Sequence, residues 1–132
     1  MGLRDKIKSY MRKRKIEKAK KNPAFLMKEK NQDEELQLVA VNNHDYMIRY
    51  FPNASIKVQL AHIARWGGMS LFSIPNPSNE AVFAAMEDDF KVFSMIVDPN
   101  DDICKKAIDM NVNSFKLIKM IFIDFFSIYT YN

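Results

Sequence analysis

The stretch NPSNEAVFAA (Asn76–Ala85) is followed 22 residues later by DPNDDICKKA (Asp98–Ala107). Each places a proline, then small or acidic residues, then a run that closes on alanine. Two separate helix starts would read this way, because Ser, Asn and Asp favour helix N-termini. One period of a repeat would also read this way, and the choice decides the fold. Two more stretches align upstream. The four are DEELQLVAVNNHDYMIRYF from Asp33, SIKVQLAHIARWGGMSLFS from Ser55, SNEAVFAAMEDDFKVFSMI from Ser78 and NDDICKKAIDMNVNSFKLI from Asn100. Their starts are 22, 23 and 22 residues apart.

The columns of this alignment have a consistent character. Leu36, Val58, Ala81 and Ile103 share one; Val41, Ile63, Met86 and Ile108 share another. Ala40, His62, Ala85 and Ala107 make a small-residue column, and Tyr50, Phe72, Met95 and Leu117 a large one. Each unit carries two apolar clusters at helical spacing, parted by polar residues or by Gly67-Gly68. The pattern predicts a short helix, a tight turn and a second short helix per unit. Helices this short are marginal alone in water, so stacked units must share one core, as in an α-solenoid. The alanine column marks the close contact between helices. His62 interrupts it, which predicts a second unit that is locally splayed or exposed.

The predicted fold class is all-α: a small α-solenoid of about four helix-turn-helix units with a basic N-terminal helix and an aromatic C-terminal helix. The basic helix and its cap occupy residues 1–31. The repeat domain occupies 32–132, with units near 32–53, 54–76, 77–98 and 99–120. The pattern "NPS-x-E-x-x-x-x-AA", clear at Asn76–Ala85 and degenerate at Asn53–His62, resembles short helical-hairpin repeats of uncharacterised bacterial and viral proteins. It is also similar to HEAT-like and leucine-rich-variant repeats. That resemblance, over residues 32–120, implies a scaffold with a binding surface and no activity of its own.

Charge separates the two parts. Residues 1–30 hold twelve Lys or Arg against three acids, a balance of +9, so the remainder carries −5 to reach the net +4. A basic arm on an acidic body is a statement about partners. The arm predicts a helix from Leu3 to Lys21, ended by Asn22-Pro23 because the residue before proline is pushed out of helical geometry. Leu3, Ile7, Tyr10 and Met11 form a stripe expected to dock on the first unit. Beyond it, RKRKIEKAKK is charged nearly all round and reads as a solvated helix or frayed arm. Ala24–Met27 reads as the cap of the stack. At the other end, Phe115–Tyr131 is rich in aromatic and aliphatic residues but interrupted by Lys116, Lys119 and Asp124, too short and broken to span a membrane. It reads either as folded into the core or as a surface for another chain.

Catalytic chemistry is not legible. Nucleophilic catalysis needs a nucleophile beside a base, and the two histidines, His44 and His62, stand in a turn and on a helix. Cys104 reads as a packing residue, and with one cysteine there is no disulfide framework, in keeping with a cytoplasmic protein. The N-terminus has no apolar signal-peptide core. Asp98, Asn100, Asp102 and Asp109 mimic part of a calcium loop, but Ile103 replaces its glycine, and the segment reads better as a helix N-terminus. The expectation is therefore no catalytic residues, no metal and no cofactor.

The expected function is a non-enzymatic binding protein. Arg12, Lys13, Arg14, Lys15, Lys18, Lys20 and Lys21 would contact nucleic-acid phosphates, and the repeat body would engage a protein partner. Its candidates are the turn residues His44, Asp45, Arg65, Trp66, Glu87, Asp88 and Asp89, with Trp66 as anchor or hairpin-closing core residue, and Phe125, Phe126 and Tyr129 at the C-terminus. Richness in Lys, Asn, Ile and Phe looks like a low-GC genome such as a phage. On that reading one instance is an inhibitor of a host nucleic-acid machine, of anti-CRISPR or other anti-defence type, acting in the host cytoplasm. The alternative is a structural protein forming a homo-oligomer through its aromatic C-terminus, with the basic arm on a neighbour's acidic body. A third reading lays the basic helix on an anionic membrane; Met1-Gly2 begins like a myristoylation site, but Lys6 stands where Ser or Thr is expected.

Overall fold

A computed structural model of the chain describes residues 1–30 and 32–111, and among these every regular element is helical. Six α-helices run α1 Leu3–Lys21, α2 Glu34–Asn43, α3 Ile56–Trp66, α4 Asn79–Asp88, α5 Lys91–Met95 and α6 Asp101–Met110. Short 3₁₀ helices cover Pro23–Lys28, Met47–Tyr50 and Gly68–Ser73. The protein is all-α.

The four aligned stretches begin at four N-caps. The side chains of Asp33, Ser55, Ser78 and Asn100 accept hydrogen bonds from the backbone N–H of Leu36, Val58, Ala81 and Ile103. Each cap satisfies a helix-end donor that would otherwise lack a partner. After each of the first three of these helices comes a turn and a second, shorter helical segment. Successive long helices pack side by side, α1 on α2, α2 on α3, α3 on α4 and α4 on α6.

Burial follows two columns of the alignment in full, while a third holds at Val41, Ile63 and Met86 and breaks at Ile108, which is exposed. Leu36, Val58, Ala81 and Ile103 are buried one position per helix, as are Ala40, His62, Ala85 and Ala107 four residues further on. The short segments contribute Met47, Ile48 and Phe51, then Leu71 and Ile74, then Val92 and Phe93. Two polar residues join this core with their bonding groups engaged. Gln37 donates to Gln32 Oε1 at 3.2 Å, and Gln32 in turn donates to the carbonyls of Leu26 and Tyr50. Gln59 donates to the Ala54 carbonyl at 3.0 Å and accepts from the Ser78 N–H at 2.8 Å, so one amide ties together the linkers on either side of its unit. Buried amides satisfied in this way cost little and fix register.

Two expectations are corrected. His62 is fully buried rather than splayed out, and its Nε2 lies 3.3 Å from the Ser70 carbonyl. The unit makes room elsewhere: three residues past the first helix's C-cap stand Met47 in the first unit and Val92 in the third, but Ser70 in the second. A larger residue in the alanine column thus goes with a smaller one three residues past the C-cap. The second correction concerns α1. Leu3, Ile7, Tyr10 and Met11 are exposed, between 54% and 74%, and the half that packs is the charged one, through buried Ala19 and half-buried Ile16. At 3.6 residues per turn, the exposed stripe is centred roughly 160° from the Arg12–Ile16–Ala19 face. A helix anchored through Ala19 therefore turns that stripe away from the body.

Candidate nucleic-acid interface

α1 is one continuous helix of 19 residues, about 28 Å long at 1.5 Å per residue. Its N-cap, Gly2, offers no side-chain bond, whereas Lys18, Lys20 and Lys21 in the last turn complement the helix dipole. Asn22 ends it and Pro23 opens the 3₁₀ cap, whose Leu26 is buried.

The seven predicted phosphate contacts divide by what already holds them. Arg12 Nη2 bonds both Asp33 Oδ1, at 2.9 Å, and Glu35 Oε2, clamping α1 to the start of α2. The hydrogen bond with Asp33, then that with Glu35, raises the guanidinium pKa, and the same Arg12 bond is the main cause lowering the Asp33 carboxyl. Lys15 Nζ lies 3.5 Å from Glu29 and Lys20 Nζ 3.2 Å from Glu17. Lys18 Nζ sits 4.6 Å from the centre of the Phe25 ring. Arg14 Cζ lies 5.9 Å from the Tyr10 ring centroid, and Arg14 makes no ion pair among the described residues. Lys13 and Lys21 are exposed and make no ion pair among the described residues. Arg12 thus anchors the arm, while Lys13, Arg14 and Lys21 face water, and Lys20 does so beside Glu17.

Most of the turn candidates bond to a neighbouring element. His44 Nε2 lies 2.6 Å from the Lys20 carbonyl at the end of α1. Trp66 Nε1 donates to the Val41 carbonyl at 2.6 Å and Arg65 Nε to the Asn42 carbonyl at 3.2 Å, both at the end of α2, with Arg65 Cζ 4.4 Å over the indole. Asp88 Oδ2 accepts from Gly68 N–H at 2.7 Å. Glu87 pairs with Lys106 of α6 at 3.0 Å, and Asp89 Oδ1 accepts from Lys91 N–H. The first of these donors satisfy C-terminal carbonyls that a helix leaves without an internal partner. Asp45, Tyr46, Arg49, Trp66, Ser70 and Ser73 surround a hollow of about 270 Å³. Phe125, Phe126 and Tyr129 lie outside the described residues.

Sequence reasoning left two features out of the candidate set. Tyr50, Phe72 and Met95, the large column of the alignment, are 44%, 48% and 51% exposed, one apolar side chain per unit. Their recurrence at 22 and 23 residues was the available signal. Tyr10, exposed beside Arg14, is the other; an aromatic inside a basic run marks it.

Burial is the main cause lowering the His62 pKa, and its Nδ1 has no hydrogen-bond partner among the described residues. Burial, then Asp101, raises the Cys104 thiol, which contacts the Pro99 carbonyl. Asn100 Oδ1 accepts from Ile103 N–H as a helix cap, with Asp101 and Asp102 in the first turn of α6. No group of three or more His, Cys, Asp or Glu among the described residues is placed to hold a metal ion. No described helix is long and apolar enough to cross a membrane. The sequence matches no protein-family model, no curated protein and no solved structure.

Proposed function

We propose that the chain is a non-enzymatic binding protein, whose α1 arm contacts nucleic-acid phosphates while its repeat body engages a protein partner. One observation carries the reading: α1 is fixed to the body by Arg12, Ile16 and Ala19, which leaves Lys13, Arg14, Lys20 and Lys21 directed to solvent along one rigid helix. A preformed cationic helix loses little conformational freedom on binding a polyanion. Exposed Tyr50, Phe72 and Met95, one apolar side chain in each of the first three units, support the second half, since a repeat body that exposes apolar side chains suits a protein partner.

Fluorescence anisotropy with labelled DNA and RNA tests the first half. Binding is expected at about 50 mM salt, with log K falling linearly against log salt. Replacing Lys13, Arg14, Lys20 and Lys21 by alanine should flatten that slope by about 0.9 for each lost contact to a duplex phosphate. Arg12 stays in place, because its removal would loosen the arm itself. An absence of binding at low salt, or binding indifferent to the fourfold variant, overturns the proposal.

A further inference from the structure

The outward stripe of α1 is not explained by phosphate contacts alone. Leu3, Ile7, Tyr10 and Met11 lie together over the first three turns, exposed and rimmed by Arg4, Lys6 and Lys13. Tyr10 is at the centre of this arrangement. Lys6, Lys13 and Arg14 stand four, three and four residues from it, the spacings that make helix-surface neighbours. Arg14 Cζ, 5.9 Å from the ring centroid, leaves the ring 60% exposed as a residue. On the adjoining surface, Ile7, Met11, Arg14, Lys15 and Lys18 line an open trough of about 760 Å³.

Resting on the nucleic-acid reading above, we infer that this stripe binds single-stranded nucleic acid, with a base stacked on Tyr10, neighbouring bases against Ile7 and Met11, and phosphates on Lys6, Lys13 and Arg14. An aromatic face amid cations is what a single strand requires, since every base has a stacking face and every linkage a charge. Duplex backbone contacts would use the same cations but leave the apolar stripe wet, because the bases are stacked and paired inside. Pairing of two stripes from two copies brings together two arms that each carry +9 over residues 1–30, so charge opposes it. A lipid surface favours an apolar face that continues along the helix. Here the same line turns cationic after Met11, at Arg14, Lys18 and Lys21, which suits a strand passing from stacked bases to bound phosphates.

The test uses the full chain and labelled oligothymidylate and oligouridylate of about twelve nucleotides, a site size within the range of single-strand binders, against a duplex of equal length. The single strands should bind more tightly than the duplex. Tyr10→Ala should weaken single-strand binding by about tenfold with the salt slope unchanged, and Tyr10→Trp should keep it. Lys13→Ala should reduce the slope by about 0.7. Tyr10 is exposed and lies outside the core formed by the described residues, so circular dichroism of Tyr10→Ala should match the parent. If duplex binds as tightly and Tyr10→Ala changes nothing while Lys13→Ala does, this inference fails and the function proposed above stands. If neither nucleic acid binds, both fail. Flotation with phosphatidylcholine–phosphatidylserine vesicles that excess oligonucleotide does not reverse also overturns it.

Discussion

The second and third units fill the same space in different ways. In the third, Ala85 faces a short helix carrying Val92 and Phe93, all buried. In the second, His62 occupies the alanine position and, counted from the C-cap, Ser70 the position of Val92. The helices differ too. α4 has ten residues and ends on Asp89 in extended backbone, φ −143°. α3 has eleven and ends on Gly67 with φ 91°, a left-handed conformation that glycine adopts without strain. The added residue, which turns the 22-residue spacing into 23, advances the turn by about 1.5 Å. The period therefore lies in the caps and the columns, while the filling of each unit is set locally.

The sharpest way to break the comparison is at Gly68. A Cβ there would lie 2.4 Å from the Ala85 carbonyl oxygen and 3.3 Å from both Ala85 C and Asp89 N. These are backbone atoms of α4 and its cap, so the helix itself must move. Gly68→Ala should destabilise by about 3 kcal/mol, at the upper end for overpacking. Urea denaturation followed by circular dichroism reads this; a loss below about 0.5 kcal/mol would mean that the two units are not in the close contact described. The corresponding positions after the other C-caps hold Asp45 and Phe90, so only the second unit demands glycine.

A smaller effect separates cause from coincidence in the His62–Ser70 exchange. His62→Ala removes a buried ring and should cost about 2 kcal/mol. Ser70→Val overfills the unit and also removes the Ser70 Oγ–H bond to the Gly67 carbonyl, 2.6 Å long, for about 1 kcal/mol more. The double variant recreates the packing of the third unit, so it should be more stable than the sum predicts by at least about 1 kcal/mol. The lost hydroxyl appears in both Ser70 variants and cancels in the cycle. Additivity within about 0.5 kcal/mol would sink the compensation argument.

These contrasts also show what the sequence could and could not disclose. The N-caps were legible because a cap needs a particular side chain at a particular place, and Asp33, Ser55, Ser78 and Asn100 supply it at constant spacing. The buried columns were legible for the same reason. The accommodation of His62 was not, because its counterpart Ser70 belongs to a different helical segment and looks ordinary in a turn. The orientation of α1 was misread because apolar residues usually mark the packed face. Here the packed face is marked by Arg12, whose partners Asp33 and Glu35 lie beyond a proline and a 3₁₀ segment. For the candidate site, residue types pointed to Trp66, Arg65 and His44. What they bond is backbone carbonyl of the preceding helix, and carbonyl positions carry no residue-specific signal.

The smallest predicted effect uses acidity to separate the second unit from the third. His62 is fully enclosed and its Nδ1 is without a partner among the described residues. Its folded pKa is lowered from 6.5, chiefly by burial, with the Ser70 carbonyl and the charge of Asp45 pulling the other way. The unfolded chain therefore takes up a proton near pH 6.5 that the folded chain refuses until lower pH. Where the unfolded state binds more protons, stability rises with pH. The contribution of His62 is accordingly complete above pH 6.5 and is lost as pH falls from there towards its lowered folded value. Asp33, lowered from 3.8 and titrating alike in both proteins, loses most of its own contribution below that value and cancels in the comparison. Stability measured by urea denaturation at about pH 7.5 and pH 5 should thus fall for the parent by more than for His62→Ala, which has alanine as the third unit does. An equal fall in both proteins would mean that the imidazole is reached by water and titrates freely, and that the second unit is opened after all.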